Sequence, residues 1–183
     1  MQPLEQAKHP VTVLAGRYGH PLHPALVAIP IGAWIASLAF DIGSRVAHVP
    51  QPWAQGSRWL IGLGVLGALA AAMVGFLDLF AIPAGTRVFR IALVHMTVNL
   101  AATGAYAVGF VLRAGDPAGP VGWGRLSLSV AALAALSVGG YLGGELAYRY
   151  GVRVAGETTQ AEGYQPATTR PSGPADSVAK EKV

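Results

Sequence analysis

The sequence predicts an all-α integral membrane protein: a four-helix bundle of up-down-up-down topology, followed by a disordered C-terminal tail. Three observations predict it. Charged residues make up 12% of the 183-residue chain, half the roughly 25% of an ordinary soluble domain. The mean hydropathy is positive. Four stretches, roughly 24–40, 59–77, 91–112 and 126–144, almost lack charge, and each approaches or reaches the ~20 residues needed to cross ~30 Å of hydrocarbon at 1.5 Å per residue. A soluble bundle would need polar outer faces, which these stretches lack.

Residues 1–17 read as a short mixed lead, and residues 18–155 as the four-span domain. No signal-peptide pattern is visible, so the first span is expected to be retained. That span is expected over about 24–42, with Pro24 in the first turn, where a missing N–H is no loss. Pro30 should kink it, as membrane bundles tolerate. Gly43 to Ser57 is expected to be a loop centred on Pro50, Pro52 and Trp53. The second span, 58–82, is ended by Pro83, and the tight link Pro83-Ala84-Gly85-Thr86 makes spans two and three an antiparallel hairpin. The third span covers 88–112. A Gly- and Pro-rich loop leads to the fourth, 125–150. The tail 156–183 is rich in Pro, Thr, Ser, Ala and charge and is expected to be disordered.

Small residues recur every fourth position: Gly67, Ala71 and Gly75 in span two, and Gly139/Gly143 and Gly140/Gly144 in span four. Such stripes are expected to let helix backbones approach closely. Trp53, Trp59 and Trp123 lie near span ends, where an aromatic belt is expected; Trp34 lies deeper. Lys8, Arg17, Arg87, Arg90, Arg149 and Arg153 flank the face holding both termini, against Arg45, Arg58, Arg113 and Arg125 on the other. The bias puts both termini in the cytoplasm. The location expected is the inner membrane of a bacterium.

The chain has no cysteine, which excludes disulfides, thiolate-bound zinc and iron–sulfur clusters held by its own residues. No basic block with interleaved aromatics is present, so nucleic acid is not an expected partner. The partners expected are the lipid bilayer, a redox protein or membrane complex, and further copies of the chain.

The most informative segment is Gly19-His20-Pro21-Leu22-His23-Pro24, just before the first span. Each histidine precedes a proline, which disfavours the α region. A polyproline-like path with three residues per turn would put His20 and His23 on one side. Asp78 lies about one turn before the end of span two, His95 about two turns into span three, and Glu145 about one turn before the end of span four. All four spans thus bring titratable groups to the terminal half of the bilayer, at depths differing by one to two turns of about 5.4 Å. Ionisable groups in spans are costly, roughly 2.5–3.5 kcal/mol each, and normally pair inside the bundle. Asp78 and His95 are therefore expected to share that cost. Each residue also has a plainer explanation: His20 as an interfacial side chain, His23 as a cap, Glu145 as an i,i+4 partner of Arg149. Asp41 is expected to pair with Arg45 at the end of span one. Asn99 either extends the polar stripe beyond His95 or bonds between helices.

The run from His20 to Asp41, the Gly75-Phe76-Leu77-Asp78 end of span two, His95, and the segment Gly143-Gly144-Glu145-Leu146-Ala147-Tyr148-Arg149-Tyr150-Gly151-Val152-Arg153-Val154 together resemble the bacterial domain-of-unknown-function 2231 (DUF2231) family of four-span membrane proteins. The likeness covers roughly residues 17–155. Some members are joined to Rieske-type redox domains, so the resemblance implies a redox or respiratory setting. It brings no established enzymatic activity.

Three functions follow. The first is a haem or metal centre in electron transfer, with His95 and either His23 or His20 as axial ligands of haem b. A non-haem iron, zinc or manganese ion would draw on His20, His23, His95, Asp78 and Glu145. The second is a proton or small-solute pathway; the third, a structural or partner-binding subunit of a membrane complex. No nucleophile–base motif or phosphate loop is visible, so the chain is not expected to be an enzyme by itself.

Overall fold

In the computed structural model, which describes residues 2–115 and 119–164, the apolar stretches form four long helices. The first span, Leu22–Val46, is broken into α2 (Leu22–Leu26) and α3 (Ala28–Val46). Pro30 explains the break: its ring removes one backbone donor and clashes with the carbonyl four residues earlier, that of Leu26. Before it come α1 (Pro3–Lys8), a 3₁₀ turn at Val13–Ala15, and a two-residue hairpin of β1 (Gly16–Arg17) and β2 (His20–Pro21).

The second span, α4 (Gln51–Leu79), starts seven residues before the Arg58 expected from the sequence. Pro50 is its N-cap and Pro52 lies in its first turn, so these prolines start a helix rather than centre a loop. The third, α5 (Arg87–Leu112), is capped by Thr86, whose Oγ1 accepts the Phe89 N–H at 3.1 Å. The fourth, α6 (Trp123–Gly144), runs on as a π turn at Glu145–Arg149. The start of the expected disordered tail forms a short helix, α7 (Glu157–Glu162); residues 165–183 lie outside the described part.

The spans pack as two close pairs, α3 with α4 and α5 with α6, with lighter contact across the seam between them. The interior is made of small residues and a few aromatics. Ala33, Ala71, Ala102, Ala132, Ser37 and Gly64 are buried, while Leu66, Met73 and Tyr141 face outward. That is the arrangement lipid requires, since hydrocarbon gives no drive to bury large apolar side chains. Trp34 stacks on Tyr106, with centroids 4.1 Å apart, at the centre of the core that includes Ile61 and Ala132. Its indole N–H donates to the Ile61 carbonyl at 3.3 Å.

Several glycines of these helices, Gly67 of the small-residue stripes among them, receive side chains of a neighbouring helix, while a Cβ on Gly140 would meet nothing within 4 Å. A Cβ on Gly64 would strike the Trp34 indole and one on Gly67 would strike Ile29, both under 3.0 Å.

The loop end of the bundle is tied by one carboxylate. Asp41, fully buried on α3, accepts a hydrogen bond from Ser57 of α4, pairs with Arg113 just past α5, and accepts from Ser129 of α6 at 3.2 Å. Arg113 also donates to Ser129 Oγ at 3.0 Å and to the Gly109 carbonyl at 3.1 Å. The expected Asp41–Arg45 pair is not formed. Arg45 instead donates to the Val121 carbonyl at 2.7 Å and lies 3.8 Å over the Trp123 ring. Asp41 points inward, where the cost of its charge is offset only by partners from other spans.

Replacing Asp41 by Ala, or Arg113 by Met, leaves the other charge buried alone and should destabilise the protein by about 3–5 kcal/mol. The double variant should be more stable than the sum of the two losses implies. Unfolding in mixed detergent micelles checks both; additive losses would show that the pair is not coupled.

Candidate functional site

At the terminal end, His23 and His95 meet across the seam between the two helix pairs. His23 is the second residue of α2, not part of an extended segment. Its Nδ1 lies 2.8 Å from the Ala71 carbonyl of α4. His95, two turns into α5, has its Nδ1 2.8 Å from the Gly139 carbonyl of α6. A carbonyl oxygen only accepts, so each Nδ1 carries the proton and donates it. In a neutral imidazole the other nitrogen, Nε2, then has a free lone pair. The ring centroids are 6.2 Å apart and the planes nearly perpendicular, at 83°.

Glycines seat both rings. A Cβ on Gly75 would stand 2.8 Å from His23 Nδ1, and one on Gly143 3.0 Å from His95 Cε1. A Cβ on Gly139 would meet the Asn99 amide at 2.5 Å. Asn99 donates to the His95 carbonyl on its own helix at 2.7 Å. Its 3.3 Å contact with His95 Nδ1 is the weaker of two claims on that nitrogen, whose proton goes to Gly139.

The other residues expected at this site are placed differently. Asp78 pairs with Arg153, Oδ1 to Nε 2.6 Å, rather than with His95. His23 lies near both Asp78 and His95. Glu145 pairs with Arg149 at 3.1 Å, one turn along its own helix. His20 is exposed on β2, opposite Arg17 in the hairpin register. Of His20, His23, Asp78, His95 and Glu145, the structure brings together His23 and His95, with Asp78 as a charged neighbour. Among the described residues, no three His, Asp or Glu side chains form a group able to hold a metal ion.

Two residues were missed. Arg153, counted in the sequence only as a flanking charge, is buried. It takes a left-handed φ of 61°, its N–H donates to the Ala7 carbonyl at 2.9 Å, and its guanidinium reaches the carbonyls of Lys8, Ala15 and Gly16 at 3.0–3.4 Å. It thereby fastens the N-terminal lead over the terminal end of the bundle. Tyr106, the other, donates to the Ser129 carbonyl at 3.2 Å. With His95, Asn99 and Thr103 it forms a stripe along α5 at spacings of three to four residues, continued two turns further by Arg113 just past the helix, and none of these residues is exposed. The polar groups therefore continue into the loop half.

A family model described as "Predicted membrane protein (DUF2231)" matches residues 19–156. No curated protein and no solved structure shows significant similarity to the chain.

Gly75→Ala should displace the His23 ring and cost about 1–3 kcal/mol, as overpacking does. Gly104→Ala, whose Cβ would meet nothing within 4 Å, should be neutral or stabilise by up to about 1 kcal/mol through helix propensity. Thermal unfolding in detergent compares them, and equal effects would mean that Gly75 has no seating role.

Proposed function

The chain belongs to the DUF2231 family of predicted membrane proteins, and from that premise we propose that it is an integral membrane protein that binds a histidine-ligated iron centre, in first place a b-type haem, between His23 and His95. The observation that carries the reading is the matched anchoring of the two imidazoles. Each is held through Nδ1 by a main-chain carbonyl of a neighbouring helix at 2.8 Å. Metal-ligating histidines usually donate their other ring N–H in this way, which fixes the tautomer and raises the basicity of the ligating nitrogen. The ring centroids lie 6.2 Å apart, close enough for one bound group to contact both imidazoles. The seam between loosely joined helix pairs is where bundles build cofactor sites.

A bound haem would supply one-electron redox chemistry within the membrane. The protein's part is to hold His23 and His95 in one tautomer, to seat them on Gly75 and Gly143, and to keep the Asp78–Arg153 pair beside them. The partner of such a centre is a redox protein or a membrane complex. We place the termini in the cytoplasm of a bacterium, following the lysine and arginine bias.

A second reading, a proton pathway, is favoured by the interior polar stripe of α5. Its tautomer-fixed histidines and hydroxyls are the groups that relay protons in spans.

Optical spectra of the purified protein, oxidised and reduced, together with its iron content, test the first reading. A b-type spectrum with about one iron per chain is expected, lost in His95→Ala and in His23→Ala. An iron-free, featureless wild type that folds normally would contradict it. Proton flux in liposomes abolished by His95→Ala would then leave the second reading standing.

Single cysteines placed at Gln2 and Arg58, in a chain with no native thiol, report orientation. The cysteine at Gln2 should react with an impermeant maleimide only after cell lysis, and the one at Arg58 in intact spheroplasts.

A further inference from the structure

On the outer side of the α5–α6 pair, at the terminal end, an open groove of about 370 Å³ lies between the two helices. Arg87, Arg90, Ile91 and Val94 of α5 line it, and Leu142 of α6 forms the facing wall. The four α5 residues fall at i, i+3, i+4 and i+7, so they make a single stripe along the helix. That stripe is charged at one end and apolar at the other. The guanidiniums stand where the span begins. From Arg87 to Val94 the stripe runs about 10 Å along the helix axis towards the bilayer centre.

Both arginines are exposed. Among the described residues, neither guanidinium has a hydrogen bond, an ion pair or a ring contact. No carboxylate lines the groove, and the first turn of α5 holds no acidic residue. Like charges one turn apart on a helix repel, so the pair is a local cost that no described residue offsets. Arginine at a span end is ordinary on the face that the charge bias marks. Two arginines that open onto one groove with an aliphatic floor are a more specific arrangement. A free anion would use the charges and leave Ile91, Val94 and Leu142 idle. A bare hydrocarbon chain would use the floor and leave the charges idle. A molecule with both parts, joined at the membrane edge, uses the whole groove.

We propose that this groove binds one anionic phospholipid, with its phosphate at Arg87 and Arg90 and an acyl chain along Ile91, Val94 and Leu142. Charge complementarity selects the headgroup. The planar fork of a guanidinium matches phosphate oxygens, and basic pockets between spans bind such headgroups. Tyr141, next to Leu142 on α6, is exposed, which puts an aromatic ring at the level where side chains meet headgroups. The site is separate from the two histidines. His95 follows Val94 in the chain, but its ring is turned to the seam and bonded to the Gly139 carbonyl, so lipid binding does not depend on an iron centre.

The test uses the full-length protein in a neutral detergent, delipidated until native mass spectrometry shows the bare chain. The probes are dioleoyl phosphatidylglycerol, dioleoyl phosphatidylcholine as the zwitterionic control, and inorganic phosphate. One phosphatidylglycerol should bind saturably, with an affinity about tenfold or more above that for phosphatidylcholine. The double variant Arg87→Gln/Arg90→Gln should lose that preference. Arg17→Gln, an exposed charge on the same face that does not line the groove, should keep it. Val94→Trp fills the floor from an exposed position and should weaken phosphatidylglycerol binding with both arginines still in place. All three variants alter exposed side chains, so each should keep a normal thermal transition. Equal affinity for the two lipids overturns the proposal, as does a preference that survives in the double variant or is lost equally in Arg17→Gln. Inorganic phosphate bound as tightly as the lipid overturns it in favour of a free-anion site. An affinity unchanged by Val94→Trp would show that no acyl chain lies in the groove, and overturns it as well.

Discussion

Hydrocarbon offers no solvent to an ionised or hydrogen-bonding group, so every such group in these spans must find its partner within the protein. Asp41 meets that constraint most fully. Its carboxylate has partners from α4, from α6 and from the residue that follows α5. A pair buried this deeply adds little net stability over well-packed apolar residues, but losing half of it is severe. Its effect is to select one register of four helices whose surfaces are otherwise small, apolar and interchangeable. The Trp34–Tyr106 stack and the Ser44 and Arg45 contacts to Val121 lie within a few turns of that carboxylate and inherit its register.

The terminal end is built on the same constraint with a different result. Asp78 is answered by Arg153, and Arg153 in turn holds the N-terminal lead. The two histidines are answered only on one side. Their Nδ1 atoms are committed to carbonyls, which leaves the Nε2 lone pairs uncommitted. An end that only needed closing could be closed as the loop end is, by ion pairs and hydroxyls. A pair of tautomer-fixed imidazoles on facing halves of a seam is better suited to chemistry than to packing.

Much of this was legible in the sequence. Charge-poor stretches gave four spans, Pro30 gave the break in the first, and the depths of His23, Asp78 and His95 gave one polar end. What failed was the choice of partners. Asp41 was assigned to Arg45 because four-residue neighbours on one helix can be seen in a sequence, whereas its true partner lies 72 residues away. A signal was available all the same. Asp41 ends span one, Ser57 begins span two, Arg113 ends span three and Ser129 begins span four, so topology alone puts them at one level. For the glycines, spacing shows where a Cβ is missing and not what fills the gap. At Gly64, Gly75 and Gly143 the filler is a ring from another span. Arg153 was hidden because its role depends on a left-handed turn beyond the last span.

The central claim is that His23 and His95 are fixed as Nδ1–H tautomers that present Nε2. Solid-state ¹⁵N spectra test it directly on histidine-labelled protein in bilayers, with His9, His20 and His48 replaced so that two imidazoles remain. The account predicts protonated Nδ1 and unprotonated or metal-shifted Nε2 signals for both rings. Protonated Nε2 on either ring would contradict it, because that ring could not then present Nε2 as a ligand.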